Sequence, residues 1–433
     1  MRYSLILNVA LALYFSCSVN VVLGVEFVAS IGEELELTDN SLNTESNKSK
    51  ELAYTTTLEA DISHRSSVFD LSLNYAAAYA RYNKETQDDN NTLIGTGTAI
   101  WYILPGRIDW FVTETENFSI VDRRLADTAD NRAQSSSLST GPHVAIPISR
   151  VDSATLDAVY TQSSVDGGIE GDNESIVSSG SIGWTHLFSD IKSFSLEYST
   201  SKTNFDNNDE NVESSSVMGT LNANTASGAF VLGVGVTRFE IDSGTDRSTN
   251  SFDIQYTRRW SISTVTFLAQ KELTDTVTAF RGGETSTGSS FAQSFEVEDA
   301  IIRSTLDASV SLPILGALTV LDLSVSYQEE EFQAQKDMQR VKMFDTALTH
   351  RLTEHISLAA NYSYVRTQFD FIATNRVDRE HQFSLGGEYQ VSEMLAISST
   401  FNLDYRQVGR EENIDHSNMR KNSLLCAVSY SFL

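Results

Sequence analysis

Along most of the chain, apolar and polar residues alternate one for one. Phe69, Leu71, Leu73, Tyr75, Ala77 and Tyr79 take turns with Asp70, Ser72, Asn74, Ala76 and Ala78. The same beat sets Phe194, Leu196 and Tyr198 against Ser195, Glu197 and Ser199. It recurs with Leu321, Leu323, Val325 and Tyr327 against Asp322, Ser324, Ser326 and Gln328, and with Phe401, Leu403 and Tyr405 against Asn402, Asp404 and Arg406. Successive side chains of a strand point to opposite faces, so a period of two predicts strands with one apolar and one polar face. Twenty strands are expected, near 26–38, 51–63, 68–82, 92–104, 107–118, 137–149, 153–165, 173–188, 191–205, 211–224, 228–241, 248–259, 261–273, 297–312, 316–331, 338–352, 355–369, 377–391, 394–407 and 417–433. Boundary errors of about 2–4 residues leave a range of roughly 18 to 22 strands.

The connections alternate too. Short ones include His64–Ser67, Pro105-Gly106, Ser149–Asp152, Ser189-Asp190 and Ser392-Glu393. Long polar ones include Asn83–Asn91, Asp166–Asn173, Asn204–Asn211, Asp242–Thr249 and Val408–Ser417, and two are longer still, Glu116–Ser136 and Thr274–Glu296. Short turns at one end and long loops at the other are the arrangement of an outer-membrane barrel, with the turns on the periplasmic side. The expected fold is therefore all-β, a transmembrane antiparallel up-and-down β-barrel.

Residues 1–24 read as an export signal: Arg2 is the charged start, Leu5 to Phe15 the apolar core, and Val22 and Gly24 the small residues before cleavage. Its removal leaves residues 25–433 as the barrel domain. No later stretch is apolar enough for a membrane helix, which leaves strands as the way across.

Two features support the orientation. All four tryptophans fall near expected short turns: Trp101 and Trp110 flank Pro105-Gly106, Trp184 precedes Ser189-Asp190, and Trp260 sits at a turn. Amphipathic rings at the headgroup level would form an interfacial girdle there. At the other end of the chain, Leu424, Cys426, Val428, Tyr430 and Phe432 share one face. A terminal strand of this kind, with Val428, Tyr430 and Phe432 at its end, resembles the signal read by the barrel assembly machinery.

Composition narrows the functional classes. The formal net charge is −27 over 433 residues, so a nucleic-acid partner is excluded by repulsion between like charges. Cys17 falls in the export signal and leaves Cys426 alone, so no disulfide framework is available. No catalytic signature emerges. His350-Arg351-Leu352-Thr353-Glu354-His355 fits neither zinc-helix spacing and reads as a polar turn. Gly233-Val234-Gly235 lies inside strand alternation and reads as room made in the wall. Asp206–Glu210 reads as a solvated loop, lacking the glycine and distal glutamate of a calcium loop. No cofactor or metal is expected.

The polar face carries the candidate chemistry. Asp70, Asp109, Asp157, Glu197, Asp253, Asp307, Asp322, Glu388 and Asp404 are expected to point into the lumen, against Arg303 and Arg406. In a water-filled lumen they would draw cations. The other reading buries them in salt-bridge networks with the arginines. A barrel of this size holds either a channel or a plug, and the two longest loops are the candidates for an internal constriction.

Three motifs in the first third of the chain resemble a family of outer-membrane β-barrels associated with exosortase (PEP-CTERM) systems. They are Thr38-Asp39-Asn40; Trp101 with Pro105-Gly106-Arg107-Ile108-Asp109-Trp110; and Asn131 with Ser139-Thr140-Gly141-Pro142. Asp39-Asn40 suits a loop entry, and Gly141-Pro142 suggests a bulge or a frayed strand start. The resemblance implies a Gram-negative outer-membrane location and a part in exopolysaccharide export or surface anchoring, with no catalytic residue. The sequence thus points to passage or surface organisation of polysaccharide or other envelope material. A cation-preferring diffusion porin is the alternative, and a barrel enzyme acting on envelope lipid is a third, poorly supported one. Expected partners are outer-membrane lipid, the barrel assembly machinery and polysaccharide.

Overall fold

The computed structural model describes residues 24–120, 132–168, 171–205, 211–241, 245–275, 300–314, 318–333, 336–371, 374–409 and 416–432. They form one sheet of 20 antiparallel strands. In chain order these are β1 (Val25–Thr38), β2 (Glu51–Arg65), β3 (Phe69–Tyr82), β4 (Asn90–Leu104), β5 (Ile108–Ile120), β6 (Arg132–Pro147), β7 (Asp152–Gly168), β8 (Gly171–Ser189), β9 (Lys192–Phe205) and β10 (Val212–Thr225). They continue as β11 (Gly228–Ile241), β12 (Thr245–Arg259), β13 (Thr264–Asp275), β14 (Ala300–Ile314), β15 (Thr319–Phe332), β16 (Met338–Arg351), β17 (Ile356–Phe371), β18 (Thr374–Gln390), β19 (Leu395–Gly409) and β20 (His416–Phe432).

Each strand pairs with the next in sequence, and β1 pairs with β20 from Ala29↔Phe432 to Thr38↔Ser423. The ring closes, so no edge strand is left to pair with another chain. This is a transmembrane up-and-down barrel, the second way besides a helix to satisfy every backbone group in lipid.

Register fixes the two faces. Phe69, Leu71 and Leu73 of β3 stand opposite Trp101, Ala99 and Gly97 of β4. The aliphatic and aromatic side chains share one face and are exposed, Val234 at 58%, Leu385 at 53% and Ile182 at 53% among them. That apolar, exposed face is the outer one; away from the long-loop end, the inward face carries mainly hydroxyl, amide and carboxylate residues.

The turns at one end are tight. Arg107 N–H donates to the Leu104 carbonyl at 2.9 Å, and Gly106 between them has φ +72°. Proline at the second position and a left-handed glycine at the third are what such a turn requires. At the opposite end the strands run further than the alternation predicts. Expected loop residues Asp166–Gly168 and Gly171–Asn173 belong to β7 and β8, Thr245–Thr249 belong to β12, and β6 starts at Arg132. Ladder hydrogen bonds need no apolar side chain, so strands continue where both faces turn polar. The remainder of the two longest expected loops, the expected export signal up to position 23, Asn131 and the Asp206–Glu210 stretch lie outside the described residues.

Gly141-Pro142 is neither a frayed start nor a bulge. It lies inside β6, paired to Phe111 and Trp110 of β5, while the ladder to β7 skips from Thr140↔Tyr160 to His143↔Asp157 without a change of register. A Cβ on Gly141 would stand 1.8 Å from the Ala158 carbonyl oxygen. The backbone of β7 therefore closes over the position where proline removes a donor.

Candidate functional site

All nine acidic residues singled out from the sequence fall on the inward face. Asp70 pairs in register with Arg65 and Ile100, and its carboxylate accepts from the Tyr102 hydroxyl at 3.0 Å and meets the Arg65 guanidinium at 3.6 Å. Asp109 on β5 faces His143 on β6, which in turn faces Asp157 on β7. His143 Nδ1 is 2.5 Å from Asp157 Oδ1, and Ser181 donates to the other oxygen at 3.2 Å. Asp253 accepts from Gln255 at 3.1 Å. Asp404 stands opposite Lys421, whose ammonium meets Glu36 at 3.0 Å. Asp307 sits between Leu268 and Ser326 in register. Glu197, Asp322 and Glu388 are exposed on the polar face.

The arginines expected to answer these acids bind others. Arg303 of β14 holds Glu330 of β15 at 3.0 Å and reaches Glu272 of β13 at 3.6 Å. Arg406 of β19 meets Asp378 at 3.0 Å and Glu380 at 3.1 Å, and Arg376 meets the same Asp378 at 2.6 Å. The Glu330 and Asp378 side chains are 3% and 4% exposed. These four carboxylates were not singled out from the sequence. Each continues the inward polar beat of its strand toward the long-loop end, with Leu273, Phe332 and Val377 still further along β13, β15 and β18.

The opposite arc is built from hydroxyls. From β6 to β10 the inward positions are largely serine and threonine. Ser139 donates to Thr161 at 3.0 Å and Ser163 to Ser137 at 3.0 Å; Ser199 and Ser216 lie 2.7 Å apart, and Ser201 and Ser214 2.8 Å. Each bond joins neighbouring strands. Short side chains make a smooth wall that both donates and accepts.

Burial on the inward face is uneven. Toward the long-loop end Thr203, Phe239, Ile301, Glu330 and Asp378 are all at most 3% exposed. Toward the short-turn end Ser63, Ser72, Asp322 and Glu388 are exposed. Among the described residues, inward side chains are buried toward the long-loop end and several are exposed toward the short-turn end.

On the outer face, Trp101 and Trp110 stand directly opposite one another beside the Pro105-Gly106 turn. Trp184 lies opposite Ala154 and Leu196, near the β8–β9 turn, and Trp260 lies in the β12–β13 turn beneath the Arg258 guanidinium. Val428, Tyr430 and Phe432 are outward residues of β20, opposite Glu33, Ile31 and Ala29, and the Tyr430 and Phe432 rings meet edge to face at 4.8 Å. Further up, the outer face turns charged, with Lys202 on Glu213 at 2.8 Å and Arg238 on Asp246 at 2.6 Å. The alternation hid this, because it placed all charge on the inward face.

Thr38-Asp39-Asn40 lies at the closing seam. Asn40 is fully buried; its amide donates to the carbonyls of Thr44 at 2.8 Å and Arg420 at 3.0 Å. His350 is the penultimate residue of β16 and bonds the Thr319 hydroxyl at 2.8 Å, and residues 352–355 form the turn into β17. Among the described residues no group of three or more His, Cys, Asp or Glu is arranged to hold a metal ion.

No family profile matches the chain, and no curated protein does. Solved structures match by fold. The siderophore receptor PirA from Pseudomonas aeruginosa is similar at a TM-score of 0.50 and 10% identity, over 94% of this chain and 80% of that one. The copper transporter OprC gives 0.47 and 11%, over 94% and 80%. OmpT, an outer membrane protein of Vibrio cholerae, gives 0.38 and 10%, over 94% and 97%. The chain has the fold of Gram-negative outer-membrane barrels; the likeness to PirA concerns the fold alone.

Proposed function

We propose that this barrel passes polar, largely uncharged chains across the outer membrane, with exopolysaccharide or related envelope material as the cargo class. The observation that carries the reading is the hydroxyl wall of β6 to β10. A glycan offers hydroxyls on every side, and serine and threonine can donate to it or accept from it without a strong binding site. Passage needs binding favourable enough to enter and weak enough to leave. The resemblance of Thr38-Asp39-Asn40 and its companion motifs to barrels of exosortase systems supports the same cargo. The short-turn end is assigned to the periplasm, so the packed end of the interior faces outward and holds the passage closed at rest.

The exposed carboxylates Glu197, Asp322 and Glu388 favour a second reading, a diffusion porin with cation preference. Conductance of the refolded chain in a planar bilayer under a salt gradient separates the two. The export reading expects a mostly silent protein whose rare openings are blocked by neutral oligosaccharide added on the short-turn side. Steady cation-preferring current, indifferent to oligosaccharide, would replace it with the porin.

A further inference from the structure

We propose that the wall parts between β12 and β13, above Phe252 and Lys271, to pass an acyl-chain amphiphile sideways between the lumen and the outer leaflet. Among the described residues, two ladders of the ring stop four rungs before both of their strands do. One is β12–β13. It runs from Arg259↔Thr264 to Phe252↔Lys271, yet β12 begins at Thr245 and β13 continues to Asp275. The same register would next join Ser251 to Glu272 and Asn250 to Leu273. Instead each strand keeps only its other neighbour: β12 stays with β11 up to Ile241↔Thr245, and β13 with β14 up to Asp275↔Ala300.

The other short ladder is stitched. β4 and β5 part above Gly95↔Glu116, and the Gln134 amide of β6 donates there to the Leu93 carbonyl at 2.8 Å and to Glu116 at 2.9 Å. Between β12 and β13 the tie is apolar. Leu273 and Ile302 continue the outward beat of β13 and β14. Yet Leu273 is only 8% exposed, clustered with Phe239 and Val212, and Ile302 packs against the same cluster. Phe239 and Val212 are inward residues of β11 and β10. The upper end of β13 therefore lies inside the wall and against β11, past β12. The wall overlaps itself, with β10–β12 as the outer lap and β13–β14 as the inner one. Contacts of this kind are non-directional, so the laps can slide apart without stranding a polar side chain. A sheet edge open to hydrocarbon is costly, which keeps the overlap shut at rest.

Height and lining identify what would pass. Phe252 is seven residues from the turn-side end of β12 at Arg259. At about 3.3 Å per residue and a tilt of about 40°, the slit begins roughly 18 Å up an apolar band about 25 Å tall. It therefore opens among the acyl chains and headgroups of the outer leaflet, beside the exposed Val234 and Val236 of β11. On the lumenal face of the inner lap stand Arg303 and Glu272, with Glu330 next to them on β15. Lipid lies on one side of the latch and ion pairs on the other. An amphiphile fits both, its acyl chain between Phe239 and Leu273 and its polar head in the lumen. The inference rests on the membrane orientation assigned above and is independent of what else the lumen carries.

The test uses the full refolded chain, with Cys17→Ser and Cys426→Ser, in vesicles of phosphatidylcholine that carries a diazirine on one acyl chain. Light attaches the chain to whatever it touches, and mass spectrometry locates the adducts. Outward Val234 and Val236 should be labelled in every variant. Inward Phe239 and Val212 should be labelled as well, because acyl chains enter the slit. A disulfide staple, Ser251→Cys with Glu272→Cys, should remove the inward adducts, while Thr257→Cys with Thr266→Cys, a rung inside the ladder, should leave them. Leu273→Ala loosens the latch and should raise inward labelling roughly tenfold, the factor for about 1.4 kcal/mol. Heat-modifiable migration on a gel shows which variants are folded, and Leu273→Ala carries the test should the staple not oxidise. Adducts confined to the outer face in both wild type and Leu273→Ala overturn the proposal. So does inward labelling that the formed staple leaves unchanged. Neither outcome of the conductance experiment bears on this result.

Discussion

Asp39 and Asn422, 383 positions apart in the chain, are joined by three hydrogen bonds at the long-loop end of the β1–β20 seam. Asp39 N–H donates to the Asn422 carbonyl at 3.1 Å, Asn422 N–H donates to Asp39 Oδ1 at 2.8 Å, and the Asn422 amide donates to Oδ2. Partial burial pushes the Asp39 carboxyl up, but the two Asn422 donors, with Lys48 and Arg420 nearby, more than offset it and hold the group below the ordinary aspartate value. The unfolded chain therefore takes up this proton at higher pH than the folded one. The contribution to stability is complete above the unfolded value, about 3.9, and is lost as pH falls through the folded one. Asp39→Asn should lower the temperature of heat modification at pH 7, and the gap to wild type should shrink toward pH 3. A gap that is constant with pH would show that the charge has no part in the seam.

The buried pair Arg303–Glu330 should respond asymmetrically. Arg303→Ala leaves a carboxylate that is 3% exposed without its cation, a loss of about 3–5 kcal/mol. Replacing both, as Arg303→Met with Glu330→Leu, removes the stranded charge and should cost clearly less. Urea-unfolding midpoints of the two variants in micelles decide this; equal losses would mean that the pair is held by packing alone.

Gly141→Ala should prevent assembly or cost more than about 3 kcal/mol, since overpacking a rigid backbone has no side chain to yield. Gly32→Ala is the control, because its Cβ would lie 3.9 Å from its nearest neighbour, the Val428 carbonyl. The folded fraction after refolding reads both. Normal assembly of Gly141→Ala would show that β7 can move away from β6.

Should openings be seen, Glu197→Gln with Asp322→Asn and Glu388→Gln should reduce cation preference. Under a salt gradient the reversal potential moves toward zero, because fixed carboxylates on the water-exposed wall no longer enrich cations. An unmoved potential would assign selectivity to the packed end instead.

The strands were legible because lipid on one side and water on the other impose a period of two, and β11 was placed at its observed bounds, 228–241. Legibility failed where that asymmetry ends. At Gly171–Asn173 and Thr245–Thr249 both faces are polar, so ladder and loop look alike in sequence. The same fading hid the charges near the rim. The inward placement of the nine acids followed from alternation, but their partners did not: whether Arg303 meets Asp307 on its own strand or Glu330 on the next depends on side-chain reach across strands. The hydroxyl arc was present as serine and threonine at alternate positions, but only register stacks them into one wall.

The two halves of the wall are fastened differently. From β13 to β19 long charged side chains tie each strand to the next like cross-bracing, while on the inward face from β6 to β10 the ties are short hydroxyls. A ring so built is stiff along one side and compliant along the other. Under thermal load or an entering chain it should widen lopsidedly, with the hydroxyl side bowing outward and the ion-paired side serving as the fixed jaw.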